Sequence, residues 1–169
     1  ALDAITTGDK NTGVGYNALT GVTSGSWNTA VGHEAGKAMT TGADNTAIGL
    51  SAGAAITTGT RNIAIGGVAL DNVDSENDNL AIGYAALGGA IDGGELNVAI
   101  GNYSLDALTT GDRNVGVGYM SLSANTTGYY NTATGVNALK RNTTGYLNVA
   151  MGESSLDANT TGNQNVARS

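Results

Sequence analysis

The chain is built from one short motif that recurs from end to end. The motif reads Asn-x-small-Val/Ile-Gly, and its Asn lies at Asn11, Asn28, Asn45, Asn62, Asn79, Asn97, Asn114, Asn131, Asn148 and Asn165. The spacing is 17 residues everywhere except for one step of 18 between Asn79 and Asn97. We number each repeat from its Asn as position 1. The 169 residues are therefore expected to be a single array that continues in a longer chain, with a half repeat at 1–10, full repeats from 11 and irregular coils at 62–96.

The length of the repeat restricts the fold. A strand, a helix and two turns need about 20 residues or more, and paired-helix repeats need more than 30. Seventeen residues suit two short strands and two turns, which make one coil hydrogen-bonded to the next about 4.8 Å away. The sequence predicts an all-β fold, a β-solenoid of about ten coils and roughly 45 Å in length. A helical repeat is the alternative, because segments such as Ala86–Leu87 favour helix; the Gly columns and Thr-Thr pairs oppose it.

Two columns of glycine predict the corners of each coil. Position 15 is Gly in every repeat except one, which has Glu76, and the two columns together hold 18 of the 27 glycines. Such columns indicate a positive φ or a close backbone approach. The predicted structural corners at position 5 are Gly15, Gly32, Gly49, Gly66, Gly83, Gly101, Gly118, Gly135 and Gly152.

The distribution of charged residues and of side-chain sizes follows the 17-residue repeat. Charged residues are absent from positions 1, 2, 3, 5, 8, 9, 12 and 14, and position 4 carries only Arg168. Position 3 is always Ala or Gly. We expect the charge-free positions to be buried. Because one coil encloses little apolar volume, we also expect one strand face to pack inside the coil and another to pack against neighbouring chains related by cyclic symmetry.

Composition and charge exclude several classes of function. The net charge of -7 disfavours nucleic acid as a partner, because phosphate binding needs clusters of Lys and Arg. The chain has no Cys and one His, which excludes thiolate and multi-histidine metal sites. No apolar run approaches the roughly 20 residues of a membrane span, so we expect no membrane insertion by this segment.

No catalytic motif is evident in the sequence. His33 follows a corner Gly, where a surface residue is a better interpretation than a catalytic base, since no recurrent Ser or Asp partner accompanies it. No Gly-rich stretch is followed by the Gly-Lys-Ser/Thr of a phosphate loop. The acidic stretch 71–78 is either a cation-binding loop or a solvated variant of the turn. We therefore expect no enzyme, with no catalytic residue, no cofactor and no assigned metal ligand.

The aromatic residues and the threonine pairs are the remaining candidates. All eight aromatic residues lie at positions 6, 7, 16 or 17, next to the corners. Exposed aromatic rows either bind sugars and proteins or stack to stabilise a corner. The candidate recognition residues are Trp27, Tyr129, Tyr130 and Tyr146. The Thr-Thr pairs at positions 13 and 14 resemble the regular hydroxyl arrays of ice-binding solenoids, although Asp74–Ser75 and Asp92–Gly93 interrupt them.

Two families share this motif. The segments 28–32, 62–66 and 97–101 resemble the head repeats of trimeric autotransporter adhesins, and 11–19 and 114–128 resemble more closely the arrays of phage and bacterial tail-fibre-domain proteins. The resemblance implies a homotrimeric left-handed parallel β-roll in a segment of a longer fibre. It also implies attachment to a surface or host, extracellular location on a virion tail fibre or a bacterial cell, and two further partners, flanking fibre domains and a cell-surface glycan or protein receptor. A glycan- or ice-binding solenoid module is the alternative.

Overall fold

Ten three-residue strands, one from each repeat, form a single parallel sheet. The computed structural model describes all 169 residues. The strands are β1 (Thr12–Val14), β2 (Thr29–Val31), β3 (Thr46–Ile48), β4 (Ile63–Ile65), β5 (Leu80–Ile82), β6 (Val98–Ile100), β7 (Val115–Val117), β8 (Thr132–Thr134), β9 (Val149–Met151) and β10 (Val166–Arg168). They are ordered β1 to β10, and equivalent repeat positions pair, even across the 18-residue repeat, where Leu80 lies opposite Val98. The fold is an all-β parallel β-solenoid of about nine turns, with no helix.

Each coil contains one strand, not the two expected from the sequence. The remainder of the coil consists of turns. These turns still stack in register: Leu19 N donates to Ala35 O, and Thr23 N donates to Thr40 O. Only 18 of the 105 backbone hydrogen bonds lie within the strands, so the coils are held together mainly through their turns.

Left-handed backbone conformations explain why the second strand is missing. Twenty-seven non-glycine residues have positive φ, and all lie at position 7, at position 9 or at the last residue of a repeat, as at Leu19 (51°) and Trp27 (59°). A positive φ is incompatible with extended backbone, so regular strand cannot continue through these positions. Each such residue costs about 1–2 kcal/mol, a cost that the hydrogen bonds between coils offset.

The two glycine columns are corners for different reasons. At position 5, Gly49 has a φ of +133° and a Cβ would lie 2.6 Å from Gly66 O, so both conformation and space require glycine. At position 15, Gly42 has no left-handed φ, but its Cβ would lie 2.5 Å from Gly59 O of the next coil. Glycine in the second column is therefore explained only by the close approach of successive coils.

The interior is a thin column of small and aliphatic side chains from positions 3, 8, 9 and 12. Twenty-five buried residues form one continuous cluster. Position 3 points into it, and Ala30 and Ala47 are fully buried within the chain itself. A Cβ at Gly13, also at position 3, would lie 3.2 Å from Leu2 Cγ of position 9. The small size of position 3 is thus explained inside one chain, and not by a neighbouring chain.

The side chains at positions 9 and 12 pack against each other inside the coil. Where position 9 is Leu70, position 12 is Val73; where position 9 is Gly53, position 12 is the larger Ile56. A Cβ at Gly53 would lie 3.0 Å from Ile56 Cδ1, which shows that the longer side chain fills the vacated space.

Asparagine at position 1 forms a buried ladder along the rod. Asn45 is representative: its N and Nδ2 donate to Asn28 Oδ1 at 3.0 and 3.1 Å, and its Nδ2 also donates to Gly59 O at 2.8 Å. A second ladder begins at position 12, where Asn125, Asn142 and Asn159 replace the aliphatic residues of earlier coils. The first ladder ties the start of each coil to its closing corner, which fixes the coil's circumference.

Candidate functional site

The exposed Tyr129 and Tyr130 form one aromatic group with the half-buried Tyr146, and Trp27 lies apart from it. The rings of Tyr129 and Tyr146 stack with centroids 4.8 Å apart and planes 2° from parallel. The Tyr130 ring meets Tyr129 edge-on at 5.8 Å. Trp27 lies in the same column six coils earlier, roughly 29 Å away at the strand spacing of a parallel sheet. The structure therefore brings three of the four candidate recognition residues together.

The faces of these rings are partly occupied. One face each of Tyr129 and Tyr146 covers the other ring. The Arg113 guanidinium lies 5.5 Å from the Tyr130 ring centre, and the Lys10 ammonium lies 5.0 Å from that of Trp27. The outer faces and the edges of these rings remain accessible to a sugar that stacks on the group.

A second aromatic row follows positions 6 and 7. Tyr84, Tyr103 and Tyr119 meet edge-on in series, at 5.5 and 6.1 Å between centroids. His33 is exposed, and its ring stacks on Tyr16 at 5.1 Å with an interplanar angle of 26°. These contacts give a packing role to His33 and to the corner tyrosines.

Three of the charge-free columns are on the surface, which corrects the expectation that all of them are buried. Positions 1, 3, 8, 9 and 12 are predominantly buried, but positions 2, 5 and 14 are half-buried or exposed, as is position 4, whose single charged residue is Arg168. On the outer strand face, Val14, Ile48 and Met151 are 57%, 38% and 52% exposed. We call positions 2 and 4 of all ten strands the outer strand face. Arg168, in the last strand, is its only charged residue.

Threonines at positions 13 and 14 differ in what their hydroxyls do. At position 13 the hydroxyl is used within the chain, as where Thr40 Oγ1 donates to Thr57 O at 3.2 Å. At position 14 the side chains are exposed and form no hydrogen bond within the chain. This exposed hydroxyl column consists of Thr7, Ser24, Thr41, Thr58, Ser75, Thr110, Thr127, Thr144 and Thr161.

The acidic stretch 71–78 is not the uniformly solvated turn considered from the sequence. Glu76 is only 5% exposed, although it replaces a corner glycine. Its Oε2 accepts from the backbone N of Asp74 and Ser75, both at 3.1 Å, and its Oε1 accepts from Gly93 N at 3.0 Å. The carboxylate thus joins the two irregular coils. No group of three or more His, Asp or Glu side chains is arranged to hold a metal ion.

The remaining charges form local pairs on the surface. Arg61 contacts Asp78 of the next coil through two hydrogen bonds of 2.6 and 2.8 Å, which lowers the pKa of the Asp78 carboxyl. A hydrogen bond from Lys37 likewise lowers the pKa of Glu34. Burial raises the pKa of Asp71 and of Asp106, both at position 10.

The geometry defines the class of the protein as a β-solenoid repeat protein with exposed, charge-free columns. Comparisons with protein-family models, with curated proteins and with solved structures give no match for this chain. No helix long and apolar enough to cross a membrane is present.

Proposed function

We propose that the chain is a segment of a homotrimeric extracellular fibre, of the tail-fibre or adhesin type, that serves attachment to a surface or host. The observation that carries this proposal is the outer strand face. It is a half-buried to exposed stripe of aliphatic and threonine side chains, roughly 45 Å long, from which charge is excluded until Arg168. Continuous exposed apolar patches of this size mark contact surfaces in soluble proteins.

The stripe extends beyond the strands. Position 6 adds exposed Tyr16, Leu50 and Tyr84 beside it. A band five residues wide and ten coils long covers roughly 700 Å², close to the 800 Å² or so that each partner buries in a stable interface. Parallel strands with identical register present equivalent residues to a rotation axis parallel to the rod, which suits cyclic assembly.

The solution mass tests the assembly. A trimer has a mass of about 50 kDa by light scattering, three times the 16.7 kDa of one chain. Ile82→Lys with Ile100→Lys places two charges in register on the outer strand face and should yield folded monomer. Thr58→Lys adds charge at the exposed position 14 and should leave the trimer intact. A monomeric wild-type protein would contradict the proposal.

Attachment requires a receptor-binding surface, and the group of Tyr129, Tyr130 and Tyr146 is the strongest candidate. Its exposed rings suit a cell-surface glycan or a protein. Binding to a glycan array, lost in Tyr129→Ala with Tyr146→Ala and retained in Trp27→Ala, would support it. Unchanged binding of the double variant would assign attachment to another surface or to flanking fibre domains. The proposal gives the chain no catalysis and no cofactor.

The exposed hydroxyl column favours ice binding as a second candidate. Its threonines repeat at the coil spacing and have no partner within the chain, as at Thr127 and Thr144. Ice binding predicts thermal hysteresis that Thr127→Lys with Thr144→Lys abolishes. Absence of hysteresis in the wild-type protein rejects this candidate and leaves the fibre proposal standing.

A further inference from the structure

A groove of about 650 Å³ crosses three successive coils away from the strands. It exists because position 10 is Ala54 in the middle coil, whereas the neighbouring coils carry Lys37 and Asp71 there. Position 11 of the middle coil is also small, Ala55. The missing side chains leave a depression roughly 10 Å wide between the two neighbouring coils.

The groove has an apolar floor and an unequal distribution of charge. Ala38, Ala54, Ala55 and Val68 provide the floor. Lys37 lies in the lining, but its ammonium is 2.8 Å from Glu34 Oε2 and is already neutralised.

The two carboxylates of the groove lack a cation. Neither Asp71 nor Asp74 is within salt-bridge distance of a Lys, an Arg or the amino terminus. Asp74 Oδ1 accepts from Thr57 Oγ1, and Asp71 Oδ1 accepts from Asn72 Nδ2 at 3.2 Å. Burial raises the pKa of Asp71, as expected of a half-buried carboxylate without a compensating positive charge.

We propose that this groove binds an aliphatic primary ammonium, with the hydrocarbon stem on the alanine and valine floor and the ammonium between Asp71 and Asp74. The volume lies within the usual range of about 300–1,000 Å³ for small-molecule sites. The unpaired carboxylates select a cation, and the narrow floor of small side chains suits an unbranched stem. The site lies outside the outer strand face, so it does not depend on the proposed fibre function.

Ligand titrations monitored through the amide and methyl NMR signals of the protein test which ligand chemistry the groove accepts. Cadaverine is expected to shift the signals of Ala54, Ala55 and Val68 with saturation in the millimolar range. Pentanol and pentanoate have the same stem without the positive charge, and should bind at least about tenfold more weakly, because a charge-assisted hydrogen bond is lost. Equal binding of pentanol and cadaverine would overturn the proposal.

Two sets of variants locate the site. Asp71→Asn with Asp74→Asn removes both carboxylates, and Ala54→Leu fills the groove without changing charge; each should abolish cadaverine binding. Asp106→Asn is the matched control, since Asp106 also lies at position 10, is half-buried and has a pKa raised by burial, but it does not line the groove. Binding that survives both site variants, or that Asp106→Asn also removes, would contradict the assignment.

A free polyamine and a lysine side chain share this ammonium chemistry. Cadaverine and Nα-acetyl-lysinamide separate them: saturable binding of the lysine derivative at the groove extends the site to protein partners, and binding of cadaverine alone restricts it to free amines. Failure of both ligands overturns the proposal.

Discussion

Asn97 reaches across its own coil to Gly111, with 3.0 Å between its Nδ2 and the glycine carbonyl oxygen. Its Oδ1 also accepts from the backbone N of Asn114 at 2.9 Å. Asn97→Ala leaves these buried groups without a partner, and each unsatisfied group costs about 1–3 kcal/mol. We expect the free energy of unfolding to fall by about 3 kcal/mol, measured by denaturant titration.

The control for this prediction is an asparagine outside the ladder. Asn163 is exposed, and its Oδ1 accepts from Tyr146 N at 2.9 Å where water replaces it easily. Asn163→Ala should cost less than about 0.5 kcal/mol. If Asn97→Ala and Asn163→Ala lower the free energy of unfolding equally, burial of the ladder does not contribute to stability.

At Gly42, in the second corner column, glycine is required by space alone. Gly42→Ala places a Cβ 2.5 Å from Gly59 O, a clash with backbone that cannot rotate away. We expect a loss of about 1–3 kcal/mol, as for other overpacked sites. Gly67→Ala is the matched variant, because its nearest neighbour would be Tyr84 Cδ2 at 3.4 Å, and it should be neutral or slightly stabilising. Thermal unfolding of both variants compares the two directly.

Gly53 and Ile56 should be energetically coupled. Gly53→Leu alone overpacks the interior, because Ile56 Cδ1 already lies 3.0 Å from the site of a Cβ. Ile56→Val recreates the Leu and Val combination of the following coil, Leu70 with Val73. A double-mutant cycle should therefore give a favourable coupling of at least about 1 kcal/mol. If the free-energy changes of the two single variants simply add, the side chains at positions 53 and 56 do not compete for the same space.

The second asparagine ladder should be replaceable only as a whole. Asn142→Leu alone removes the donor to Asn125 Oδ1 and the acceptor for Asn159 Nδ2, so we expect a loss of about 1–3 kcal/mol. Replacing Asn125, Asn142 and Asn159 together with Leu restores the aliphatic column and should be nearly neutral. The carbonyl of Gly145 keeps its bond from Asn131 Nδ2 at 2.8 Å in both variants. A triple variant that loses more than the single one would contradict this prediction.

Asp106 and Asp78 should titrate on opposite sides of the usual aspartate pKa of 3.8. Burial raises the pKa of Asp106, so its charge costs stability at neutral pH, and this cost disappears as the pH falls through the raised pKa. The Arg61 contact lowers the pKa of Asp78, so its contribution is present above pH 3.8 and is lost as the pH falls through the lowered pKa.

A pH titration at two salt concentrations, followed by NMR of the side-chain carboxyl carbons, separates the two causes. Added salt screens the exposed Arg61–Asp78 pair and should move the pKa of Asp78 upward. The pKa of Asp106 depends mainly on desolvation and should change little. Asp78 titrating above Asp106 at low salt would contradict both assignments.

The repeat predicted the coil but not its internal path. The spacing of Asn28, Asn45 and Asn62, together with the two Gly columns, was sufficient to predict a parallel solenoid with paired repeat positions. The prediction of a second strand was wrong because residues between the two corners, such as Asn17 and Leu19, adopt positive φ, and most non-glycine side chains give no sequence signal for that conformation. Contacts between coils impose it.

Burial was predictable only where a column faces the interior. The absence of charge identified Ala30 and Leu70 correctly as buried, but it also included Thr12 and Thr58, which are exposed. Exclusion of charge has two physical causes, an interior and an uncharged outer surface, and one sequence does not distinguish them. The invariant Asn at position 1 was a signal for the buried ladder, since a polar residue in a charge-free column needs partners.

The asparagine ladder also has a direction. Every Asn after the first offers its backbone N–H to the Oδ1 of the Asn one coil earlier, as Asn131 does to Asn114 at 3.1 Å, and never the reverse. The two faces of a coil therefore differ chemically along this ladder: one face offers the Asn Oδ1 acceptor to the following coil, and the other offers the Asn backbone N–H to the preceding one.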